Sequence, residues 1–392
     1  MKKKSALSLI FLTVFVDLLG FGILIPILPA FAKKELLVNE TAIGIVIAIY
    51  SFTQFIFNPI FGKLSDKYGR KPIIVISLML NALGYIIFAF TSSFWMLLVA
   101  RIVAGVGGSS IAVAQAFIAD VTTKENRAKG MGIIGMAFGL GFVFGPLIGG
   151  FLSHYGYMVT GFGSASFSFL AFILTLILLP ESNLNREATS ERKIKLFDYQ
   201  ALKNIFSIPD RAILIFLFFV LTFSFANIYG TFALLGLQVY HFSDMQNGMM
   251  FGIIGLTSAI VQGGFIGRIN KLIDKKTILK IGSFLIMVTL ALIPYGGNFL
   301  GLAIISVFLA IGTGIFQPTV LSLISEVTPE TEQGVTLGVN QSVSAMARVL
   351  GPLWGGFAFE FLGYPFPFLT GAAFTLIIFI ATVFYIPKKL SV

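Results

Sequence analysis

Three charged side chains stand inside long apolar stretches of this 392-residue chain, where an isolated charge is costly. They are Asp17, Arg101 and Arg348. A carboxylate in such surroundings is stabilised when it takes up a proton or when a cation approaches it. A conformational change that alters either condition would load or release a proton. Asp17 is therefore the first candidate for proton coupling, with Arg101 or Arg348 as its partner. The alternative is a fixed ion pair that holds helices together.

Uncharged polar side chains in the same kind of stretch can hydrogen-bond either a bound molecule or a neighbouring helix. The candidates for substrate binding are Gln54, Asn227, Gln262, Gln317, Asn340 and Gln341. Catalytic and metal chemistry find little support, because the chain has no Cys and only two His, both in short predicted loops. We therefore predict no metal site, no cofactor and no enzymatic activity. The absence of a Gly-rich loop followed by Lys-Ser/Thr argues against ATP-driven pumping.

The composition indicates that lipid is the solvent for most of this chain. It is 57% hydrophobic and 11% charged, whereas soluble domains are about 25% charged. A helix needs roughly 20 apolar residues to cross the hydrocarbon, and only closed backbone hydrogen bonding is tolerated there. The sequence therefore predicts an all-α membrane protein with twelve transmembrane helices, near 7–32, 42–61, 72–92, 95–119, 131–152, 159–180, 212–235, 245–266, 278–297, 300–325, 336–357 and 365–386.

The basic residues predict the orientation of these spans. If the N-terminus is inside, 23 of the 27 Lys and Arg fall in cytoplasmic segments, and only Lys33 and Lys34 fall on the opposite side. This asymmetry is typical of the positive-inside rule, and it places both termini in the cytoplasm. The net charge of +10 does not indicate nucleic-acid binding, because the basic residues lie between apolar runs and not along one soluble face.

The chain also contains an internal repeat. Its longest polar stretch predicts a linker over 181–211 between two six-helix bundles, 1–180 and 212–392. Small residues and Pro of the fifth span recur in the eleventh at a constant offset of 206 residues. The fifth span has Gly132, Gly141, Gly145, Pro146, Gly149 and Gly150, and the eleventh has Gly338, Ala347, Gly351, Pro352, Gly355 and Gly356. Such stripes allow close helix approach, Pro bends a helix, and paired bundles are typical of secondary transporters with a site between them.

The motifs resemble those of the major facilitator superfamily and, within it, the twelve-helix drug:proton antiporters. The loop at 62–71 is similar to the family's G-x-L-a-D-R-x-G-R-K/R signature, and Arg101 with Gly105 and Gly108 is similar to its basic motif. The glycine pattern of the fifth span resembles the antiporter motif. The run at 17–29 resembles the first helix of the tetracycline-exporter branch, although Gly84 stands where that branch has an acidic residue and Ser258 lies where several members have His. These departures argue against tetracycline as the cargo.

The resemblance also implies roles for particular residues. Asp66, Arg70 and Asp120 would form a cytoplasmic latch, with Asp66 also facing the amino end of the eleventh helix. Arg101 would be the favoured partner of Asp17 in proton coupling. Arg348 would act as a lock where the two halves meet, with a purely structural Arg as the close alternative.

The function implied is that of a secondary active transporter that works by alternating access. We expect it to export a small, amphipathic molecule or drug in exchange for protons, as in multidrug efflux and antibiotic resistance. It would act as a monomer in the lipid of the bacterial inner membrane. A proton-coupled importer of a nutrient such as a sugar or an organic acid is the main alternative, and a membrane sensor or scaffold is another. The antiporter pattern and the scarcity of buried acidic residues count against the importer.

Overall fold

The computed structural model describes residues 3–122, 127–183, 205–329 and 333–384, with side-chain surroundings for all of these except 3–5, 127–133, 270–271 and 333–335. Regular structure within these ranges is helical, which confirms the predicted all-α fold. The helices are α1 Lys3–Lys34, α2 Glu40–Tyr68, α3 Arg70–Ala89, α4 Phe94–Gly107, α5 Ser110–Val121, α6 Arg127–Leu152, α7 Tyr157–Leu178, α8 Pro209–Gln238, α9 Asp244–Ile260, α10 Ile266–Leu272, α11 Lys275–Leu292, α12 Phe299–Glu326, α13 Gln333–Phe361 and α14 Phe366–Phe384.

Eleven stretches of the described residues are long and apolar enough to cross a membrane, so the chain is a multi-pass membrane protein. One of them, Phe94–Val121, comprises α4 and α5, and another, Asp244–Ile269, runs from α9 through the π turn Val261–Phe265 into α10. The twelfth predicted span, 336–357, lies within α13. That helix is long enough to cross, but Asn340, Gln341 and Arg348 make it less apolar than the others.

Large apolar side chains cover much of the surface of these helices. Trp95 is 74% exposed, Ile177 is 71% exposed and Leu300 is 69% exposed. In water such a surface would drive aggregation, whereas hydrocarbon solvates it without penalty. The core of the first half is formed by fully buried residues such as Ile10 of α1 and Leu78 of α3. Some apolar residues therefore pack in the protein interior, and others are exposed where lipid would surround them.

The chain divides into two compact units. The first contains Met1–Val38, Ile49–Leu196 and Asn247–Gly252, and the second contains Asn39–Ala48, Phe197–Gln246 and Ile253–Val392. Each unit thus includes a short segment from the other half of the sequence. Most of the predicted linker 181–211 lies outside the described residues, and the predicted domain limits stay a prediction.

Small residues create the same helix contact in both units. In the first unit, α6 packs against α1 so closely that a Cβ on Gly145 would lie 2.6 Å from the Cα of Gly22, and one on Gly141 would lie 2.9 Å from the Cβ of Leu18. In the second unit, α13 packs against α8, and a Cβ on Gly351 would lie 2.8 Å from the backbone N of Asn227. Because Gly351 is the repeat of Gly145, the sequence repeat is also a repeat of packing.

Other glycines and the prolines of the repeated pattern pack on the two short segments that come from the other half of the sequence, Asn247–Gly252 in the first unit and Asn39–Ala48 in the second. In the first unit, a Cβ on Gly248 would lie 3.3 Å from the Cα of Gly150 and would also meet the Pro146 carbonyl. In the second unit, the corresponding contact joins Gly44 to Gly356 and the Pro352 carbonyl. Gly149 faces Ile23 of α1. Gly132 lies in the first turns of α6, outside the residues whose surroundings the structure describes.

Candidate proton and substrate site

The Asp17 carboxyl lies in the interior of the first unit, midway along α1, where the residue is 4% exposed. The side-chain Nδ2 of Asn81 donates to both carboxylate oxygens, at 2.9 Å to Oδ1 and 3.1 Å to Oδ2. The hydroxyl of Ser168 donates to Oδ1 at 2.8 Å. Gly20 permits this arrangement, since a Cβ there would lie 2.8 Å from the Ser164 carbonyl of α7. The close approach of α7 thus brings Ser168 to the carboxylate.

A short turn of the fourth span lies beside this carboxyl. Gly108 and Ser109, between the end of α4 at Gly107 and the start of α5 at Ser110, keep right-handed helical dihedral angles, and the Ser109 N–H donates to the Val106 carbonyl, three residues earlier. The Ser110 hydroxyl interacts with Asp17, and Gln54 of α2 donates through Nε2 to the Gly108 carbonyl at 3.0 Å. Gln54, predicted as a substrate contact, serves here to bind the backbone of this turn.

Arg101 is also buried, at 6% exposure, and it lies against an aromatic ring. Its guanidinium carbon is 4.3 Å from the ring centroid of Tyr50, which itself stacks on Phe21 at 5.2 Å. Tyr50 and Tyr85 each interact electrostatically with both Asp17 and Arg101. A cation over an aromatic face is stabilised by the ring quadrupole, more strongly when both are desolvated. The polar cluster of the first unit therefore holds one anion and one cation linked through two phenols.

The predicted ion pair between Asp17 and Arg101 is not formed in the part of the chain that the structure describes. The carboxylate is occupied by Asn81 and Ser168, and the guanidinium stacks on Tyr50. Their joint role in proton coupling stays a prediction. In the second unit, Arg348 is half-buried on α13 and interacts electrostatically with Tyr229 of α8, and its role as a lock is equally a prediction.

Sequence reasoning missed the uncharged residues that surround Asp17. Asn81 and Ser168 contact the carboxylate directly, and neither was singled out. Gly84, where the tetracycline-exporter branch has an acidic residue, does not contact the carboxylate: a Cβ there would lie 2.7 Å from the Cβ of Ala104, so this position serves to pack α3 on α4. The polar group that α3 presents to Asp17 lies one turn earlier. The sequence does carry a signal, because Asn81 is an amide inside an apolar span, like the six amides predicted to bind substrate.

The other amides differ in their surroundings. Asn227 is fully buried and donates to the Pro367 carbonyl at 2.5 Å, which joins α8 to α14. Asn340 is 1% exposed, and neither its amide nitrogen nor its amide oxygen has a hydrogen-bond partner among the described residues. Gln262, in the π turn, is exposed, as are Gln317 and Gln341. Contact with a substrate stays a prediction for each of them.

The three residues of the predicted latch are brought together in the first unit. Arg70 pairs with Asp66 at 2.5 Å and with Asp120 at 3.0 Å, and its NH1 also donates to the Ser65 hydroxyl at 2.7 Å. Ionised partners on both sides make these hydrogen bonds stronger than neutral ones. Gly69 has a φ of 105° and gives the tight turn that places Arg70 at the start of α3.

Residues just after α7, which the sequence did not indicate, also bind to this ion-pair cluster. The Glu181 carboxylate accepts the backbone N–H groups of Arg70 at 2.8 Å and Lys71 at 3.1 Å, so it caps the positive end of α3. The Ser182 hydroxyl donates to Asp120 at 2.9 Å, and Asn183 donates to the Asp66 carbonyl at 2.9 Å. The start of the polar stretch after α7 is therefore fastened to the loop signature.

The second unit has a simpler counterpart of the latch. Lys275 forms an ion pair with Glu326, which is the repeat of Asp120 at the offset of 206 residues. Asp274 caps α11 by accepting the Thr277 N–H at 2.9 Å, and this hydrogen bond lowers the pKa of Asp274. The family resemblance places Asp66 against the amino end of α13. The side chains at that end, 333–335, lie outside the described residues, so this contact stays a prediction.

Known proteins resemble this chain over nearly its whole length. The profile of the Major Facilitator Superfamily matches residues 10–299 and again 263–391. Multidrug resistance protein 1 of Bacillus subtilis (strain 168) is 29% identical over 371 residues, covering 94% of both chains. The class H tetracycline resistance protein of Pasteurella multocida is 30% identical over 366 residues, covering 91% of this chain and 90% of that protein.

Solved structures share the same fold. The human organic anion transporter MFSD10 (TETRAN) has a TM-score of 0.72 and 24% identity, covering 97% of this chain and 100% of that one. A point mutant of the nucleoside transporter NupG has a TM-score of 0.79 at 13% identity, covering 96% of this chain and 99% of that one. The helices, the loop signature with its ion pairs and the profile match agree, and this chain belongs to the Major Facilitator Superfamily.

Proposed function

We propose that this chain is a secondary active transporter that exports a small, amphipathic molecule or drug in exchange for protons. The observation that carries the proposal is the Asp17 carboxyl, buried at the middle of a membrane-spanning helix and held by uncharged donors. No ion pair of the described residues includes it. A carboxylate without a counterion in such a place is neutralised by a proton or by a cationic ligand, and these two compete for it.

Competition for one carboxyl gives exchange. When the site opens to the outside, Asp17 takes up a proton and releases the cargo, and when it opens to the cytoplasm, the cargo displaces the proton. Tyr50 interacts electrostatically with both Asp17 and Arg101, and a movement of Arg101 from Tyr50 toward Asp17 would favour the anion. The cluster of Asp66, Arg70 and Asp120 would restrain the cytoplasmic opening, and Arg348 would lock α13.

The direction of transport and the class of cargo are supported by the relatives. Relatives that cover about nine tenths of this chain are named for resistance to multiple drugs or to tetracycline, and the quinolone resistance protein NorA of Staphylococcus aureus (strain COL) is 25% identical over 355 residues. Resistance of this kind fits export from the cytoplasm across a bacterial inner membrane. Gly84 packs on Ala104 and presents no acidic group, which favours a cargo other than tetracycline. The concentration of Lys and Arg in the segments on one side of the membrane favours cytoplasmic termini. We propose that the protein acts as a monomer.

The proposal is tested in bacterial cells that lack their own efflux pumps. Cells that express the protein should accumulate less ethidium and norfloxacin than cells with empty vector, and an uncoupler that collapses the proton gradient should abolish the difference. Asp17→Asn should behave like the empty vector while the protein remains in the membrane in equal amount. Unchanged accumulation of a broad panel of dyes and antibiotics, together with proton-dependent uptake of a sugar or organic acid, would instead establish the nutrient importer.

A further inference from the structure

The Asn81 amide is placed to respond to the charge on Asp17. Its nitrogen donates to both carboxylate oxygens, whereas its own oxygen, Oδ1, is buried and has no hydrogen-bond partner among the described residues. An amide has a donor end and an acceptor end that exchange places when its terminal torsion turns by half a revolution. A carboxylate accepts hydrogen bonds only, but a protonated carboxyl also donates one.

We propose that Asn81 is the positioning residue whose amide reverses when Asp17 is protonated, so that one side chain satisfies both charge states of the proton carrier. With the carboxylate, the amide N–H group faces the oxygens as observed. With the acid, the amide oxygen turns toward Asp17 and accepts the carboxyl O–H. This inference rests on the proposed function of Asp17 and names the residue that sets its proton affinity.

Among the groups around the carboxyl, Asn81 is an amide that contacts both oxygens. Tyr50 of α2 and Tyr85 of α3 interact electrostatically with Asp17, and Arg101 of α4 interacts electrostatically with both tyrosines. From α5 and α7 come the Ser110 and Ser168 hydroxyls, and α6 presents glycines to α1. The contact of Ser168 is to Oδ1 alone, whereas Asn81 spans both oxygens, so its amide meets the proton on whichever oxygen carries it.

The expected consequence is a change in the proton affinity of Asp17 when Asn81 is replaced. Hydrogen bonds to a charged group are stronger than those to a neutral one, so removal of Asn81 disfavours the carboxylate more than the acid. The midpoint of protonation should rise by about one pH unit in Asn81→Leu, which keeps the number and branching of side-chain heavy atoms, and in Asn81→Ala, which does not. A residue that serves packing alone would tolerate Leu and show no change in that variant.

Infrared titration of the purified full-length protein in detergent tests this without a cargo. The carbonyl stretch of the protonated Asp17 carboxyl is identified as the band that Asp17→Asn lacks, and its intensity is followed with pH. The matched control is Ser77→Ala, one turn earlier on α3, where a hydroxyl bonded to the Ile73 carbonyl is removed. We expect both Asn81 variants to raise the midpoint and Ser77→Ala to leave it unchanged. In the wild type, with carbon-13 in the asparagine side chain, the amide carbonyl band that Asn81→Ala lacks should shift with the same midpoint.

Three different failures are distinguishable. A band that is present, absent in Asp17→Asn and unchanged in midpoint in Asn81→Leu and Asn81→Ala would overturn the role of Asn81 and leave the proposed function intact. If Asp17→Asn removes no titrating band, Asp17 is not a proton carrier, and both the proposed function and this inference are wrong. A midpoint that shifts while the asparagine band stays fixed would overturn the reversal of the amide.

Discussion

At the scale of single residues, the site separates its two buried charges instead of pairing them. Asp17 is bound by an amide and a hydroxyl, and Arg101 lies on the ring of Tyr50. A tight ion pair would fix the charge of the carboxyl over a wide pH range, since a cation stabilises the anion strongly. Uncharged donors stabilise it less, which leaves the carboxyl able to gain and lose a proton. This arrangement therefore favours a role of Asp17 in binding and releasing a proton over a role in a fixed ion pair between helices.

The latch allows a prediction at the same scale. Arg70→Ala should lower the free energy of unfolding by about 2 kcal/mol, because it leaves Asp66 and Asp120 without the cation that binds both. Thermal unfolding in detergent measures the loss, and Lys67→Ala, an exposed cation of the same loop, is the matched control. Arg70→Lys should recover only part of the stability, because the single ammonium group of Lys cannot reproduce the several N–H donors that the planar guanidinium directs at Asp66, Asp120 and Ser65. Equal stability of Arg70→Ala and Lys67→Ala would show that the cluster contributes nothing.

At the scale of elements, the glycine stripes decide how closely the helices approach. Gly145→Ala and Gly351→Ala should each destabilise their unit by about 1–3 kcal/mol, since the added Cβ meets backbone atoms of α1 or α8. Gly135→Ala and Gly338→Ala are the matched controls on α6 and α13, where a Cβ meets nothing within 4 Å. These two should be neutral or more stable, because Ala favours a helix. Comparable losses in all four variants, measured by thermal unfolding, would contradict this explanation.

The cap of α11 predicts a dependence on pH. Asp274→Ala should cost about 1 kcal/mol at neutral pH, because the carboxylate accepts the Thr277 N–H. That hydrogen bond lowers the pKa of Asp274 in the folded state, so its stabilisation is present above the pKa of the unfolded chain. It is lost as the pH falls through the folded pKa. The unfolding temperatures of the wild type and Asp274→Ala should therefore converge as the pH falls from neutral to acidic. A difference that stays constant with pH would contradict the role of the Asp274 carboxylate as the cap of α11.

Much of this architecture could be predicted from the sequence, because lipid imposes length and composition on every span. Close approach of another helix to Gly145 follows from small residues at helical spacing, although the sequence does not say that this helix is α1. The proximity of Asp66, Arg70 and Asp120 was expected from the family resemblance, and their role as a latch stays a prediction. The partners of Asp17 were harder to predict, since Asn81 and Ser168 lie 64 and 151 residues away along the chain. Only the packing of α3 and α7 on α1 brings them there. The short segments that join the opposite unit leave no mark in the composition.

At the scale of the whole molecule, the distribution of basic residues predicts which side of the membrane each loop occupies. The chain has no Cys, so single cysteines can be introduced without background. Leu37→Cys, 84% exposed after α1, should react with a membrane-impermeant maleimide in intact spheroplasts. Leu272→Cys, 83% exposed at the end of α10, should react only after lysis. The reverse pattern would mean that the orientation is inverted.

The exchange of protons for cargo is the central claim, and it is measured most directly with the purified protein in liposomes. The liposomes contain a pH-sensitive dye and an acidic interior, and ethidium or norfloxacin is added outside. Cargo-dependent alkalinisation of the interior is predicted for the wild type and for Ser77→Ala, and none is predicted for Asp17→Asn. Alkalinisation that is as fast in Asp17→Asn as in the wild type would contradict the role of the buried carboxyl. Cargo movement in the wild type without any proton movement would contradict antiport itself.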